Sequence, residues 1–181
     1  RGIFLAMMPL YYVQELGWSD TAYSGLTGTA LLIGGVFSMV LGGSILNLLG
    51  RARALQILCV LVAALGLLLA AAPWLGDFDG VMKAYRVAYF ILDTMVIVAF
   101  ISVAMAICSK QVAATQFAIY MALGNVGYSA GSAAFGPLSL MLSYESIFIV
   151  FAAVSVAAVF AMRGISIANH RARLEQLQAG G

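Results

Sequence analysis

Charge is what this sequence has least of. Nine Lys or Arg and seven Asp or Glu in 181 residues leave it 9% charged, where a soluble domain carries about 25%. With 64% hydrophobic residues and a mean hydropathy of +1.04, most of its surface is not made to face water. The net charge of +2 is too small to suggest nucleic acid as a partner. Histidine is nearly absent, with His170 alone in a polar tail. The two cysteines, Cys59 and Cys108, fall inside apolar segments, which suits free buried thiols and not a disulfide framework. Without a His/Cys cluster a metal-dependent membrane enzyme has no ligands, and no ATP-binding loop is present. One mid-segment aspartate with scattered Ser, Thr and Tyr does not make a converging nucleophile and base. The chain is therefore read as no enzyme, with no cofactor and no metal.

What is there is long apolar runs. A spanning helix needs about 20 apolar residues, since each adds 1.5 Å against a hydrocarbon core of roughly 30 Å. The pattern predicts an apolar remnant helix over 1–14 and full spans near 20–48, 54–73, 83–108, 113–139 and 146–164. The breaks are "ELGWSD", "GRAR", "PWLGDFDG", "CSKQ" and "LSYES", and a basic tail occupies 165–181. The opening "RGIFLAMMPLYY" lacks a basic leader followed by a small-residue cleavage site, so it does not read as a signal peptide. It reads as a helix already under way, and the expectation is a fragment of a longer protein. "GDFDG" at 76–80 lacks the further ligands of a calcium loop and reads as a polar turn.

The few charges sort by side. Arg51, Arg53, Lys110, Arg163, Arg171 and Arg173, against Glu175, fall on one side. Glu15, Asp20, Asp77, Asp79 and Glu145 fall on the other, with Lys83 and Arg86 entering a helix there. The Lys/Arg bias places the first side, and with it the C-terminus, in the cytoplasm. Only Asp93 and Arg1 escape this sorting. Small residues recur at helical spacing, Gly34, Ser38 and Gly42 in one segment and Gly124, Gly127 and Gly131 in another. They predict close helix contacts in lipid, where no hydrophobic effect drives association.

Two stretches carry a resemblance. "GGSILNLLGRAR" is similar to the short cytoplasmic loop signature of the major facilitator superfamily, on Gly43, Gly50, Arg51 and Arg53, with Asn47 where the family has an acid. "AICSKQVAATQFAIYMALGNVG", residues 106–127, resembles the helix 10–11 region of muropeptide permeases and the related acetyl-CoA transporter group. Siderophore importers of the superfamily are the nearest rivals. The resemblance implies an all-α polytopic membrane fold, here the six-helix C-terminal bundle of helices 7–12 with its first helix truncated. It makes Gly43, Asn47, Gly50, Arg51 and Arg53 a cytoplasmic gating loop, beside the plainer reading of positive-inside anchoring. In the permease pattern the acid of the fourth segment lies about one turn before Asp93, so Asp93 does not match it.

Candidate working residues follow from polarity at bilayer depth. Asp93, mid-segment in "AYFILDTMVIVAF", should face the bundle interior or a wet cavity. It reads as a proton carrier, as a partner for a polar group of a solute, or as a structural residue bonded to a neighbouring helix. Gln116, Tyr120 and the 124–128 turn, which holds Asn125 and Tyr128, lie about a turn apart on one segment and share a face. Amides and phenols there suit sugar hydroxyls and peptide groups, or interhelical hydrogen bonds. Tyr11, Tyr12 and Gln14 read as an interfacial aromatic belt or a lining of the outer mouth. The expectation is a proton-coupled transporter of a small polar solute in the inner membrane, working by alternating access, with a muropeptide-like fragment as the cargo. Its partners would be the bilayer, the solute, protons and the N-terminal helical half of the same protein. A transporter of siderophores or other polar metabolites, or a non-transporting signalling or assembly subunit, is the alternative.

Overall fold

The computed structural model describes residues 1–109 and 112–163. The tail expected over 165–181, with His170, and Lys110 of the basic side lie outside the described residues. Six α-helices follow one another: α1 (Gly2–Leu10), α2 (Asp20–Leu49), α3 (Arg51–Ala71), α4 (Asp79–Ile107), α5 (Ala113–Met141) and α6 (Tyr144–Met162). A π-helical stretch, Tyr11–Glu15, extends α1, and a 3₁₀ turn, Pro73–Asp77, precedes α4. Among the described residues there is no strand. Helix is the form that satisfies every backbone polar group within its own segment, which lipid demands.

Caps and breaks explain the boundaries. Ser19 Oγ accepts from the Ala22 N–H at 3.2 Å, and Ser143 Oγ from the Ser146 N–H at 3.4 Å, so α2 and α6 start on side-chain caps. Asp20 and Glu145 stand in their first turns, where the helix dipole favours an acid. Pro9 offers no N–H to the Leu5 carbonyl and crowds it. The helix then widens, and the Leu16 N–H bonds to the Tyr11 carbonyl at 3.1 Å, five residues back. The expected four-residue break at "GRAR" is Gly50 alone, at φ +78°, a conformation that favours glycine. Arg51 and Arg53 already belong to the first turn of α3. That turn is the wrong end of a helix for cations, so their position answers to the membrane side and not to helix stability.

In the bundle α2 packs along α4, α3 along α6 and α4, and α1 along α5. The α2–α4 seam is built on the predicted small residues. Gly34, Ser38 and Gly42 are all buried, and a Cβ on Gly34 would come within 2.8 Å of the Phe90 carbonyl oxygen and the Thr94 hydroxyl. The second small-residue stripe divides. Gly131 meets the Gly2 backbone, which itself lies on the Tyr128 carbonyl, while Gly127 meets nothing within 4 Å. The core is aromatic. Phe4 stacks on Tyr89 at 3.9 Å between ring centroids and packs edge-on or tilted against Phe148 and Phe151, joining α1, α4 and α6.

One expectation changes. Tyr11 and Tyr12 are buried, not spread in a belt or around a mouth. The Tyr12 hydroxyl donates to the Met82 carbonyl at 2.7 Å, and the Tyr11 ring meets Tyr144 and Phe148 edge-on. Its paired polar tip lets the Tyr12 ring enter the core. The helices also differ in apolarity. Four helices, α2, α3, α4 and α6, are long and apolar enough to cross a membrane. With 29 residues α5 has the length, but its glycines, Asn125, tyrosines and serines dilute its apolarity. Phe135 is its one buried side chain.

The α2–α4 seam makes a contrasting pair of variants. Gly34→Val places its side chain against α4 backbone and should cost about 1–3 kcal/mol, whereas Gly35→Ala meets nothing within 4 Å and should be neutral. Unfolding midpoints in an SDS titration check this, and equal midpoints for the two would contradict the seam.

Candidate functional site

Asp93 sits halfway along α4 and is only 5% exposed. A carboxylate at that depth needs a partner, and the fold supplies one from another helix. Arg1 Nε donates to both carboxylate oxygens, at 2.8 and 3.1 Å. The same guanidinium lies over the Tyr128 ring of α5, 5.5 Å from its centroid, within cation–π range. Arg1 therefore ties α4 to α5. The two residues that escaped the side-sorting of charge are partners in one ion pair.

Beside that pair lies an open cavity of about 310 Å³ between α1, α4 and α5, lined by Arg1, Phe100, Met121, Asn125 and Tyr128 among others. Its wall is mostly apolar, with a few polar groups converging at one end, the composition of a small-molecule site. Gly124 and Gly127 also line it, and a Cβ on Gly124 would come within 3.4 Å of the Phe100 ring across it.

The sequence-selected residues separate here. Asn125 and Tyr128 line the cavity, and Asp93 reaches it through Arg1. Tyr120 is half-buried and does not line it. Gln116 faces the end of α4, where its Oε1 accepts from the Ser109 N–H at 2.6 Å and closes the α4–α5 connection. Gly43, Asn47, Gly50, Arg51 and Arg53 are all exposed at the α2–α3 turn. There Arg51 Nη1 reaches the Ser102 carbonyl of α4 at 3.5 Å.

Arg86 was passed over. It lies two turns inside α4, is 2% exposed, and stands seven residues before Asp93 on the same face. Its Nη2 donates to the Tyr23 hydroxyl at 2.5 Å and to Thr27 Oγ1 at 3.4 Å, both on α2. Its guanidinium also faces the rings of Tyr23 and Phe90, at 5.0 and 4.5 Å. Among the described residues Nε and Nη1 have no hydrogen-bond partner, and neither does the buried Tyr89 hydroxyl. An ionised side chain within a spanning helix is expensive and faces the bundle interior or a wet cavity. The available signal was spacing. A helix begun at Asp79 carries Arg86 inside, while one begun at 83 leaves it at the entrance.

Residues 1–177 match the family model described as the Major Facilitator Superfamily. No curated protein and no solved structure matches the chain.

The Arg1–Asp93 pair predicts a coupling in a double-mutant cycle. Arg1→Gln and Asp93→Asn should each destabilise, the double variant by less than their sum, with a coupling of about 0.5–3 kcal/mol. The exposure of the Arg1 side chain, 44%, favours the lower end because water screens it. Simple additivity in SDS-titration unfolding would remove the pair from the account.

Proposed function

This chain belongs to the major facilitator superfamily, a family of transporters, and we propose that it forms the C-terminal half of a proton-coupled carrier for a small polar solute. As a multi-pass membrane protein of that family it moves solute between two sides of a bilayer. The observation that supports proton coupling is the buried Asp93 carboxylate, held by Arg1 at the edge of an open cavity.

The chemistry runs through that pair. A proton delivered to Asp93 neutralises the carboxylate and releases Arg1 from its charge partner. Arg1, which already lies over Tyr128 and lines the cavity, is then left there as an uncompensated positive charge facing the solute's space. Loss of the proton restores the pair and compensates that charge. Occupancy by proton and by solute are thereby linked through one guanidinium. Alternating access follows if this bundle rocks against a second helical half, with the cavity between them.

A cell-wall sugar-peptide fragment remains the favoured cargo. It is supported by the likeness of residues 106–127 to muropeptide permeases and by the amide of Asn125 and the phenol of Tyr128, which suit sugar hydroxyls and peptide groups. We place the α2–α3 turn in the cytoplasm of a cell whose inner membrane holds the protein, on the strength of Arg51 and Arg53 there and of Glu15, Asp20, Asp77 and Glu145 at the opposite ends.

Two experiments test this. In proteoliposomes holding the whole protein, labelled anhydro-muropeptide uptake should rise with an inward proton gradient. Asp93→Asn should lose that rise while still exchanging label across the membrane without a gradient. Gradient-driven uptake undiminished in Asp93→Asn would end the proton-carrier role. For orientation, single cysteines at Ser143 and Arg53 should be compared in a protein with Cys59 and Cys108 replaced. An impermeant maleimide added to intact cells should label the first and not the second, and the reverse pattern would invert the topology.

A further inference from the structure

The side chains around Arg86 have more hydrogens to give than acceptors to receive them. Arg86 Nε and Nη1 are unpartnered, and the Tyr89 hydroxyl one turn along the same face is unpartnered too. The Tyr23 hydroxyl accepts from Arg86 and keeps its own hydrogen to give. Thr27 Oγ1 stands beside it, in the same position. Arg1, Asp93 and Arg86 all lie within electrostatic reach of the Tyr89 phenol. Two guanidiniums thus share one carboxylate among the described residues of this region, and that carboxylate is bonded to Arg1. One positive charge is left over, inside a ring of donors. The group that complements such a ring is acceptor-only and negatively charged.

We propose that Arg86 receives an acidic group of the transported solute, a carboxylate or phosphate, between α2 and α4, with Tyr23 and Thr27 completing the contact. The assignment rests on the transporter reading above and narrows its substrate class to anions.

Access is through Tyr23. A second cavity of about 430 Å³ opens at the outer end of the bundle, with Pro9, Val13, Gln14, Asp20 and Tyr23 among its walls. Tyr23 is 8% exposed and forms the partition, since its ring also covers the guanidinium. A turn of that ring joins the cavity to Arg86. Asp20 lines the same cavity one turn outward and is the rival source of a carboxylate. The solute is favoured because Asp20 is exposed, in the first turn of α2, where the helix dipole already holds it.

The test is thermal unfolding of the whole protein in detergent with benzoate, benzamide and inorganic phosphate as probes. Benzoate or phosphate should raise the midpoint and the neutral amide should not. Arg86→Gln should weaken the anion's apparent affinity by about tenfold or more, the scale of one charge-assisted hydrogen bond, and Arg86→Lys should keep part of it. If Arg86→Gln fails to fold, Thr27→Val and Tyr89→Phe, each removing one donor, should weaken the anion and leave benzamide unchanged. Equal responses to benzoate and benzamide, or an anion response that survives in Arg86→Gln, would overturn the site. An anion response present only in Asp20→Asn would assign the site to Asp20 and overturn the solute assignment. Binding is read here without transport. Failure of gradient-driven uptake with an intact anion response would therefore sink the proton-coupled reading alone.

Discussion

The closeness of α2 to α4 decides where the chemistry of this chain is placed. Helices in lipid are not pushed together by a hydrophobic effect, so their approach depends on shape and on small residues. Gly34 supplies that shape, with the Phe90 carbonyl lying where a side chain would start. The same seam, two to three turns toward the start of α2, sets Tyr23 and Thr27 of α2 against Arg86 of α4. A wider separation would leave the guanidinium without its hydroxyls and its ring, in a medium that tolerates neither.

Charge in this protein is concentrated in two kinds of place. At the helix ends it meets water or lipid headgroups, and its sign follows the side of the membrane. In the interior it is confined to one face of α4 and to Arg1. Asp93 and Arg1 satisfy each other and hold α1, α4 and α5 around a cavity. Arg86 is only partly satisfied. On the proposed reading, the difference between these two arginines separates a coupling device from a receptor for charge. Asp93 with its partner can change state by taking a proton, whereas Arg86 keeps its charge and needs a counter-ion brought to it.

The helical plan was legible along the chain, and the reasons are local. Runs such as 54–71 and 146–162 are apolar over a bilayer's thickness, and Ser19, Gly50 and Ser143 punctuate them with caps and a turn. The small-residue seam of Gly34, Ser38 and Gly42 was legible too, because its spacing is a property of one helix. Boundaries were less so. The α4 start moved from 83 to Asp79 because a helix tolerates Asp and Gly in its first turn, and that shift hid Arg86. The burial of Tyr11 and Tyr12 was not legible either, since an aromatic near a membrane interface looks the same whether it faces headgroups or a neighbouring helix.

By itself, the sequence determined that this is an all-α chain crossing a bilayer, and it singled out Asp93 as out of place there. Transfer into lipid is a sum over residues in one segment, so composition and period are enough. Only the tertiary structure decided that Arg1 is the partner of Asp93, that Gln116 closes a connection while Asn125 and Tyr128 line a cavity, and that Arg86 is buried with donors to spare. Those outcomes depend on how each helix is rotated about its axis and how far it is shifted along its neighbour. Side chains 92 residues apart in the chain meet within 2.8 Å through that rotation and shift, and no single segment encodes either.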